Sequence, residues 1–561
     1  MSIVPRRIVG IDLGTTHTLV AWADASAPAG ATPAIFPIPQ LVTPTDTEAL
    51  PLLPSCLWAP APDEAIADPF GDAPWVVGEA ARRRGAEVPG RLVASAKSWL
   101  SYAGVDRTAA ILPWGAEEDV PRVSPVEASA RYLAHVKRTW DEAFPDAPLA
   151  EQEVVLTVPA SFDEAARELT LEAAARAGIP VRLLEEPQAA FYDYMHHAGV
   201  AGLDALLDRH DGTALVLVCD VGGGTTDLSL IRVTRGAGPG SAPEVTRVAV
   251  GNHLLLGGDN MDLALALVAE ERLGGGLDSA RFAQLVAAAR AAKERLLGGE
   301  DEVPIRLLAQ GSQLVGGTRG TTLTKDDAER VVLDGFFPRT PRDARPERRR
   351  SALVAFGLPY EKDVAITRHL AWFFTRHAPR DARPHALLLN GGVFRASRVV
   401  ERMAEAIGAW SDDAAGVEVL PHTDPDLGVA RGAVAYALAR RGLGLRIEGG
   451  AARGYYVGLG AETKADGSVH RTAVCVVPRG AKEGIPQLAS GRAFGLVVGR
   501  SVRFDLFASD DARLDAPGDV VTIDEDAFLA LPPVAASFPH EAATKATRRD
   551  GARIKVQLEG E

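Results

Sequence analysis

Apolar residues fall into short runs along most of this chain, and turn residues separate them. Two runs stand out. Ile8-Val-Gly-Ile-Asp12-Leu-Gly14-Thr15-Thr16-His17 leads into Thr18-Leu-Val-Ala-Trp22. Leu215-Val-Leu-Val-Cys-Asp220-Val-Gly222-Gly223-Gly224-Thr225-Thr226-Asp227 leads into Leu228-Ser-Leu-Ile231. Each is an apolar run, an Asp, a Gly turn, a Thr-Thr pair and a second apolar run. That pattern predicts a strand, a tight turn and a returning strand. Glycine removes the Cβ that would hold a ligand away, so bared N–H groups and Thr hydroxyls can cradle phosphate oxygens. The Asp at each strand end can face a hydrated metal ion. One such turn is weak evidence, because most Gly-rich hairpin turns are only turns. Two copies suggest a duplicated fold that grips a polyphosphate from both sides.

Between and after the hairpins, strands alternate with helices, which implies an α/β architecture. Residues 24–75 read as short strands joined by loops. Helical patterns cover Gly78 to Tyr102, broken near Pro89-Gly90, and Pro125 to Ala143. Val154–Val158 is a strand, and Ser161-Phe-Asp-Glu164 reads as a capping box opening a helix that ends at Gly178. Val181–Leu184 is a strand, and Glu185-Glu186-Pro187 opens another helix. A strand over Glu244–Val250 precedes helices over 260–297, and Thr324-Lys-Asp-Asp327 caps a further helix. The Arg- and Pro-rich run 338–350 predicts a solvated surface loop, with a basic docking site as the lesser alternative. Ala386–Asn390 is a buried-type strand, followed by Gly391-Gly392, a helix to about Ala409, and a last helix ending near Arg441-Gly442. Residues 454–561 alternate apolar and polar, as in Thr472–Val477, Ala493–Val498, Val502–Phe507 and Ile554–Leu558, which suggests a β-sandwich. The predicted organisation is an α/β domain over 1–442, a linker over 443–453 and a β domain over 454–561.

Bulk composition narrows the functions. The chain has 561 residues, is 47% hydrophobic and 24% charged, and carries a net charge of −14. It is long enough for several domains and a large core. The negative balance argues against a nucleic-acid or anionic-membrane partner. Cys56, Cys219 and Cys475 are far apart and show no metal-ligand spacing, so reduced thiols are expected, with Cys219 packed inside its strand. No secretion signal precedes the first strand, and no apolar run is long enough to span a bilayer. These features predict a cytoplasmic protein.

Asp12-Leu-Gly-Thr-Thr, Glu186-Pro-Gln-Ala-Ala, Asp220-Val-Gly-Gly-Gly-Thr-Thr-Asp227 and Asn390-Gly-Gly together resemble the seventy-kilodalton heat-shock chaperones, the DnaK-like family. Their order and spacing match across about residues 6–442. Val158-Pro-Ala-Ser-Phe162, Leu256-Gly-Gly-Asp259 and the stretch Asp426 to Ala433 also fall in family order, whereas the match beyond 450 is weaker. The resemblance implies a duplicated, actin-like ATPase domain of two lobes with ATP or ADP and Mg2+ in the cleft, K+ being an additional candidate ion. It implies that Gly14, Thr15, Thr16, Gly222, Gly223, Gly224 and Thr225 hold phosphates, and that Asp12 and Asp220 bind the water shell of Mg2+. Lys97 aligns with the family's catalytic lysine. Glu186 and Asp227 would orient water and couple the cleft to the other domain. Gly258, Lys293, Gly391, Gly392, Arg395 and Asp426 would line the nucleotide.

The chain also departs from the family pattern. His17 replaces an Asn. Arg290 stands where a ribose-binding Glu is common, and Leu297 where a Ser meets the nucleotide. Residues 336–361 look like an insertion. Gly442-Leu-Gly-Leu-Arg-Ile-Glu448 replaces the usual leucine-rich linker, and no helical lid is expected after the β domain. Three functions compete: an ATP-dependent chaperone binding unfolded or extended polypeptide; a nucleotide-switched scaffold for one dedicated protein partner; and a small-molecule kinase or filament-forming relative on the same fold. The first two would use a co-chaperone or nucleotide exchange factor. Glu186-Pro-Gln-Ala-Ala and the β domain argue against the third.

Overall fold

The computed structural model describes residues 5–307, 319–347, 354–537, 553–556 and 559–560, less single residues and stretches of up to five within them. Two sheets built on one plan form the α/β part. In the first, β1 (Arg7–Leu13) and β2 (His17–Asp24) make the predicted hairpin. Helices α1 (Glu79–Glu87), α2 (Ala96–Ser101) and α3 (Pro125–Ala143) follow. Strand β3 (Glu153–Val158) then pairs parallel with β1, α4 (Glu164–Arg176) crosses over, and β4 (Val181–Glu185) pairs parallel with β3. Helix α5 (Glu186–Arg209) leads to the second sheet.

There β5 (Thr213–Val221) and β6 (Thr226–Thr234) form the second hairpin, extended by β7 (Glu244–Val250). Helices α6 (Gly258–Arg272), α7 (Ser279–Leu297) and α8 (Ile366–His377) precede β8 (Ala386–Asn390), which pairs parallel with β5 as β3 does with β1. Helix α9 (Ser397–Gly408) and helix α10 (Gly428–Arg440) close the domain.

Period-two alternation places the core. Along β5, Leu215, Leu217 and Cys219 face one cluster while Val216 and Val218 face another. The second of these clusters joins the two lobes: it takes residues from both sheets and from α5 and α10. Cys219 is fully buried, as its strand position predicts. Glycines permit the closest approaches. A Cβ on Gly10 would lie 2.3 Å from the Ala430 carbonyl oxygen, so α10 rests directly on β1.

One local prediction fails. Ser161 does not cap α4. Asp163 does, its carboxylate accepting from Ala166 N at 2.7 Å, and the helix starts at Glu164. Both residues are good caps. Asp163 is also gripped by Arg107 through two 3.2 Å contacts, and Ser161 is engaged elsewhere. The Arg-rich stretch is a largely exposed surface loop over its described residues, as predicted, and it makes contacts the sequence did not suggest. Arg345 lies 4.8 Å over the Trp372 ring, and Trp410 Nε1 donates to Thr340 O at 2.7 Å. It is strapped across α8; residues 348–350 lie outside the described residues.

Past α10, Leu443 and Leu445 pack on the interlobe core, and β9 (Ile447–Glu448) adds to the second sheet beside β7. Ile447 N donates to Tyr192 Oη at 3.0 Å. Beyond, β10 (Gly454–Thr463), β11 (Val469–Val477), β12 (Ser501–Ser509), β13 (Val520–Thr522) and β14 (Leu529–Ser537) form a five-stranded antiparallel sheet. Its core is small: Tyr456, Ala473, Cys475, Phe507, Val521 and Phe528. The predicted strands near Ala493–Val498 and Ile554–Leu558 pair with each other over Phe494–Val497 and Arg553–Val556; Ala493, Val498 and Leu558 lie outside the described residues. Arg376 on α8 pairs with Asp511, and Arg479 donates to Val248 O at 2.7 Å, so the β unit touches the second lobe. Among the described residues no helix is long and apolar enough to cross a membrane.

Candidate active site

The duplication repeats down to single hydrogen bonds. In the first hairpin Gly14 N donates to His17 O at 3.0 Å; in the second Gly222 N donates to Thr225 O at 3.0 Å. Asp12 stands opposite Thr157 on β3, and Asp220 stands opposite Asn390 on β8. Thr157 Oγ1 donates to Asp12 Oδ1 at 3.0 Å, and Asn390 Nδ2 donates to Asp220 Oδ2 at 3.0 Å. Each Asp is therefore aimed by the neighbouring parallel strand of its own lobe.

The two turns meet across a cleft. A Cβ on Gly223 would fall 2.0 Å from Thr16 Oγ1, and one on Gly224 would fall 2.4 Å from Ser98 Oγ and 2.8 Å from Thr15 Cγ2. A cavity of about 440 Å³ lies at this junction. Asp12, Gly14, Thr15, Thr16, Lys97, Glu186, Asp220, Gly222, Gly223 and Thr225 line one end. Gly258, Lys293, Gly391, Gly392, Arg395 and Asp426 line the rest, with His17, Arg290 and Leu297, three of the expected departures from the family pattern. Two of the expected residues stand back from the wall. Gly224 packs on Ser98 and Thr15, and Asp227 accepts from Ser161 Oγ at 2.7 Å, a bond between the lobes.

Electrostatics sharpen the picture. Lys97 and Glu186 form a buried ion pair. Burial opposes the charge on Lys97, but Glu186, Asp12 and Asp227 outweigh it and raise its pKa. Four carboxylates, those of Asp12, Glu186, Asp220 and Asp227, thus surround one ammonium. Burial, then Asp227 and Asp12, push Asp220 from 3.8 up to about 7. Such a negative surplus suits a cation. Among the described residues no three His, Cys, Asp or Glu side chains converge to hold a metal. The donor set therefore fits an ion that keeps its waters, as Mg2+ does, better than a bare one. The buried Ser98 Oγ has no hydrogen-bond partner. Toward the other end, burial and Arg290 hold His17 down to about 3, so it lines the wall uncharged. Lys293 pairs with Asp262 at 2.6 Å, and Arg395 pairs with Asp426.

Asp220 yields a prediction about pH. Between pH 3.8 and about 7 the folded carboxyl keeps a proton that the unfolded chain has lost. The ligand-free protein is therefore expected to lose stability as pH rises through this window. Asp220→Asn should raise ligand-free stability at pH 8 by about 2 kcal/mol. ADP with Mg2+ should stabilise the wild type more than the variant. Thermal unfolding with and without ligand checks both signs.

Sequence reasoning missed Asp259, Asp262 and Ser95. Asp259 and Asp262 line the cavity, and Ser95 Oγ donates to Asp259 Oδ2 at 3.1 Å across the lobes. Asp259 sat in a recognised loop, Leu256-Gly-Gly-Asp259, but no local signal pairs it with Ser95, 164 positions away.

Two lobes on one strand plan, joined by a shared helical core and parted by a cleft between twin Gly-Thr turns, define the actin-like two-lobed fold. Within it the chain is similar to the Hsp70, or DnaK-like, family. Residues 71–319 match the family model described as Hsp70 protein. The chain is similar to the "Chaperone protein HscA homolog" of Bordetella petrii, 34% identical over 363 residues, covering 62% of this chain and 49% of that one. It is likewise similar to the proteins of that name from Pseudomonas aeruginosa, 34% identical over 54% of this chain and 43% of the relative, and Methylococcus capsulatus, 33% identical over 57% and 46%. The chain spans about half the length of the curated relatives it matches.

Proposed function

We propose that the chain is an ATP-dependent, chaperone-like switch. It binds ATP or ADP with Mg2+ in the interlobe cleft, hydrolyses ATP slowly to ADP and phosphate, and couples nucleotide state to binding of unfolded or partner polypeptide by its β domain, residues 454–561. The observation that carries this reading is the meeting of two Gly-Thr turns around the buried Lys97–Glu186 pair. The names of its relatives support the chaperone class.

The proposed chemistry uses positioning and charge, which is what phosphoryl transfer to water requires. Backbone N–H groups and hydroxyls of Gly14–Thr16 and Gly222–Thr225 grip the phosphates from both lobes. Lys97, oriented by Glu186, stabilises charge on the transferred group and positions the attacking water. Asp12 and Asp220 would hold Mg2+ through its waters, and the ion would supply positive charge that offsets the carboxylates. Asp227, fixed by Ser161, keeps the lobes in register. Lys293, Arg395 and Asp426, with Gly258, Gly391 and Gly392, line the nucleoside end.

Helix α5 offers a route to the β domain. Its first residue, Glu186, meets Lys97, and its Tyr192 accepts from Ile447 of the linker strand. A change at the cleft that moves α5 would loosen β9. Polypeptide would bind the β sheet in extended form.

Steady-state ATP hydrolysis with and without an unfolded polypeptide tests this reading. Slow turnover, raised several-fold by polypeptide, is expected. Turnover that ignores polypeptide would favour a scaffold for one dedicated partner. Ile447→Asp, which places a charge in the buried linker contact, is expected to keep ATP binding and abolish the stimulation. Full stimulation in that variant would remove the linker from the coupling route.

A further inference from the structure

Leu358 and Tyr360, past the Arg-rich stretch, pack on the first lobe, although the described chain on either side belongs to the second. On the near side Phe336 and Phe337 are buried in that lobe's core, and Glu347 N donates to Asp363 Oδ2 at 2.7 Å. On the far side Ile366 is buried in the same core, with Val364 packed against it. Between these anchors the short strand Leu358–Pro359 reaches the first lobe. Leu358 is 2% exposed, and every other buried member of its cluster comes from residues 9–179. Tyr360 packs on the same cluster, which includes Trp99 and Leu100 of α2, the helix that carries Lys97. The chain is then tied back to the second lobe by Glu361 N, which donates to Leu255 O at 3.3 Å. Burial, with Asp259 and Asp262 nearby, pushes the Tyr360 hydroxyl pKa up, and both of those carboxylates line the cleft.

We propose that Leu358 and Tyr360 form a hydrophobic latch between the lobes, and that nucleotide leaves the cleft only when this latch is withdrawn. The proposal rests on the cleft being the nucleotide site argued above. Its physical basis is that the cavity wall is shared by both lobes, so release requires them to part. Parting them exposes two apolar side chains to water, and that cost slows the opening step. The polar bond between Ser95 and Asp259 crosses at the same cavity wall and opens with it.

The test uses the full chain loaded with a fluorescent ADP analogue and chased with unlabelled ADP. Leu358→Ala is expected to speed release by roughly tenfold or more, while Leu358→Met stays near the wild-type rate. Tyr360→Ser, at a half-buried position, gives the same reading should Leu358→Ala fail to fold. Folded variants that release at the wild-type rate would overturn the proposal. A second readout needs no nucleotide. Energy transfer between dyes at Glu87→Cys and Ala280→Cys, exposed positions on opposite lobes, is expected to fall in Leu358→Ala. If the wild type binds no analogue, the nucleotide reading fails on its own. The latch is then judged by energy transfer, and an unchanged value in Leu358→Ala overturns it.

Discussion

Lys97→Ala is expected to cut ATP turnover by about a hundredfold or more, with ATP affinity changed only a few-fold. The size follows from isolation. Lys97 is 7% exposed, and it is the cation that Glu186, Asp12, Asp227 and Asp220 all face. Its charge acts in a site of low polarity, where electrostatic stabilisation of a transition state is strongest. The phosphate grip itself comes from the backbone and hydroxyls of two turns, which the substitution leaves in place. The variant should therefore separate binding from turnover. Single-turnover hydrolysis beside equilibrium ATP binding checks this. A variant that hydrolyses within threefold of the wild type would remove Lys97 from the chemistry.

Gly432→Ala is expected to destabilise the α/β domain by about 3 kcal/mol and to lower turnover with it. A Cβ there would lie 1.7 Å from the Ala189 carbonyl oxygen, 2.5 Å from its carbon and 3.1 Å from Asp193 N. All three are backbone atoms of α5, so no side chain can rotate away. Helix α5 itself must shift from α10. That shift also strains the buried fork of Arg431 on Asp193, with both contacts at 3.0 Å. Pulling one partner from such a pair leaves a buried charge unsatisfied, which is costly. The functional loss follows because Glu186 begins α5 and holds Lys97. Denaturant unfolding followed by the fluorescence of the eight tryptophans measures the effect. A loss below 1 kcal/mol would show that the helices are not seated as described.

How much of this was legible in the sequence depended on how local each signal is. The hairpins were legible because strand, Asp, Gly turn and Thr pair lie within a dozen residues, and their repetition exposed the duplication. Residues such as Gly391, Gly392 and Asp426 were legible only through family resemblance; by themselves they read as a turn and a cap. Ser161 was misread because a hydroxyl three residues before a Glu is a sound capping signal. Its bond to Asp227 spans 66 positions and exists only once the lobes meet. The Arg-rich stretch looked solvated because charge runs usually are. It is largely exposed, yet the Arg342 and Arg345 guanidinium groups lie over the Phe374 and Trp372 rings, contacts that a charge run does not announce. The pairing of Ser95 with Asp259 gave no signal, since it spans 164 positions and exists only once the lobes meet.

Equilibrium titration of the full chain with ATP, in the presence and absence of Mg2+, bears most directly on the central claim that this cleft is a metal-assisted nucleotide site. One ATP per chain, bound much more tightly with Mg2+ and losing that preference when Asp12 and Asp220 are both changed to Asn, is the predicted result. No binding, or binding indifferent to both Mg2+ and the paired substitution, would contradict it.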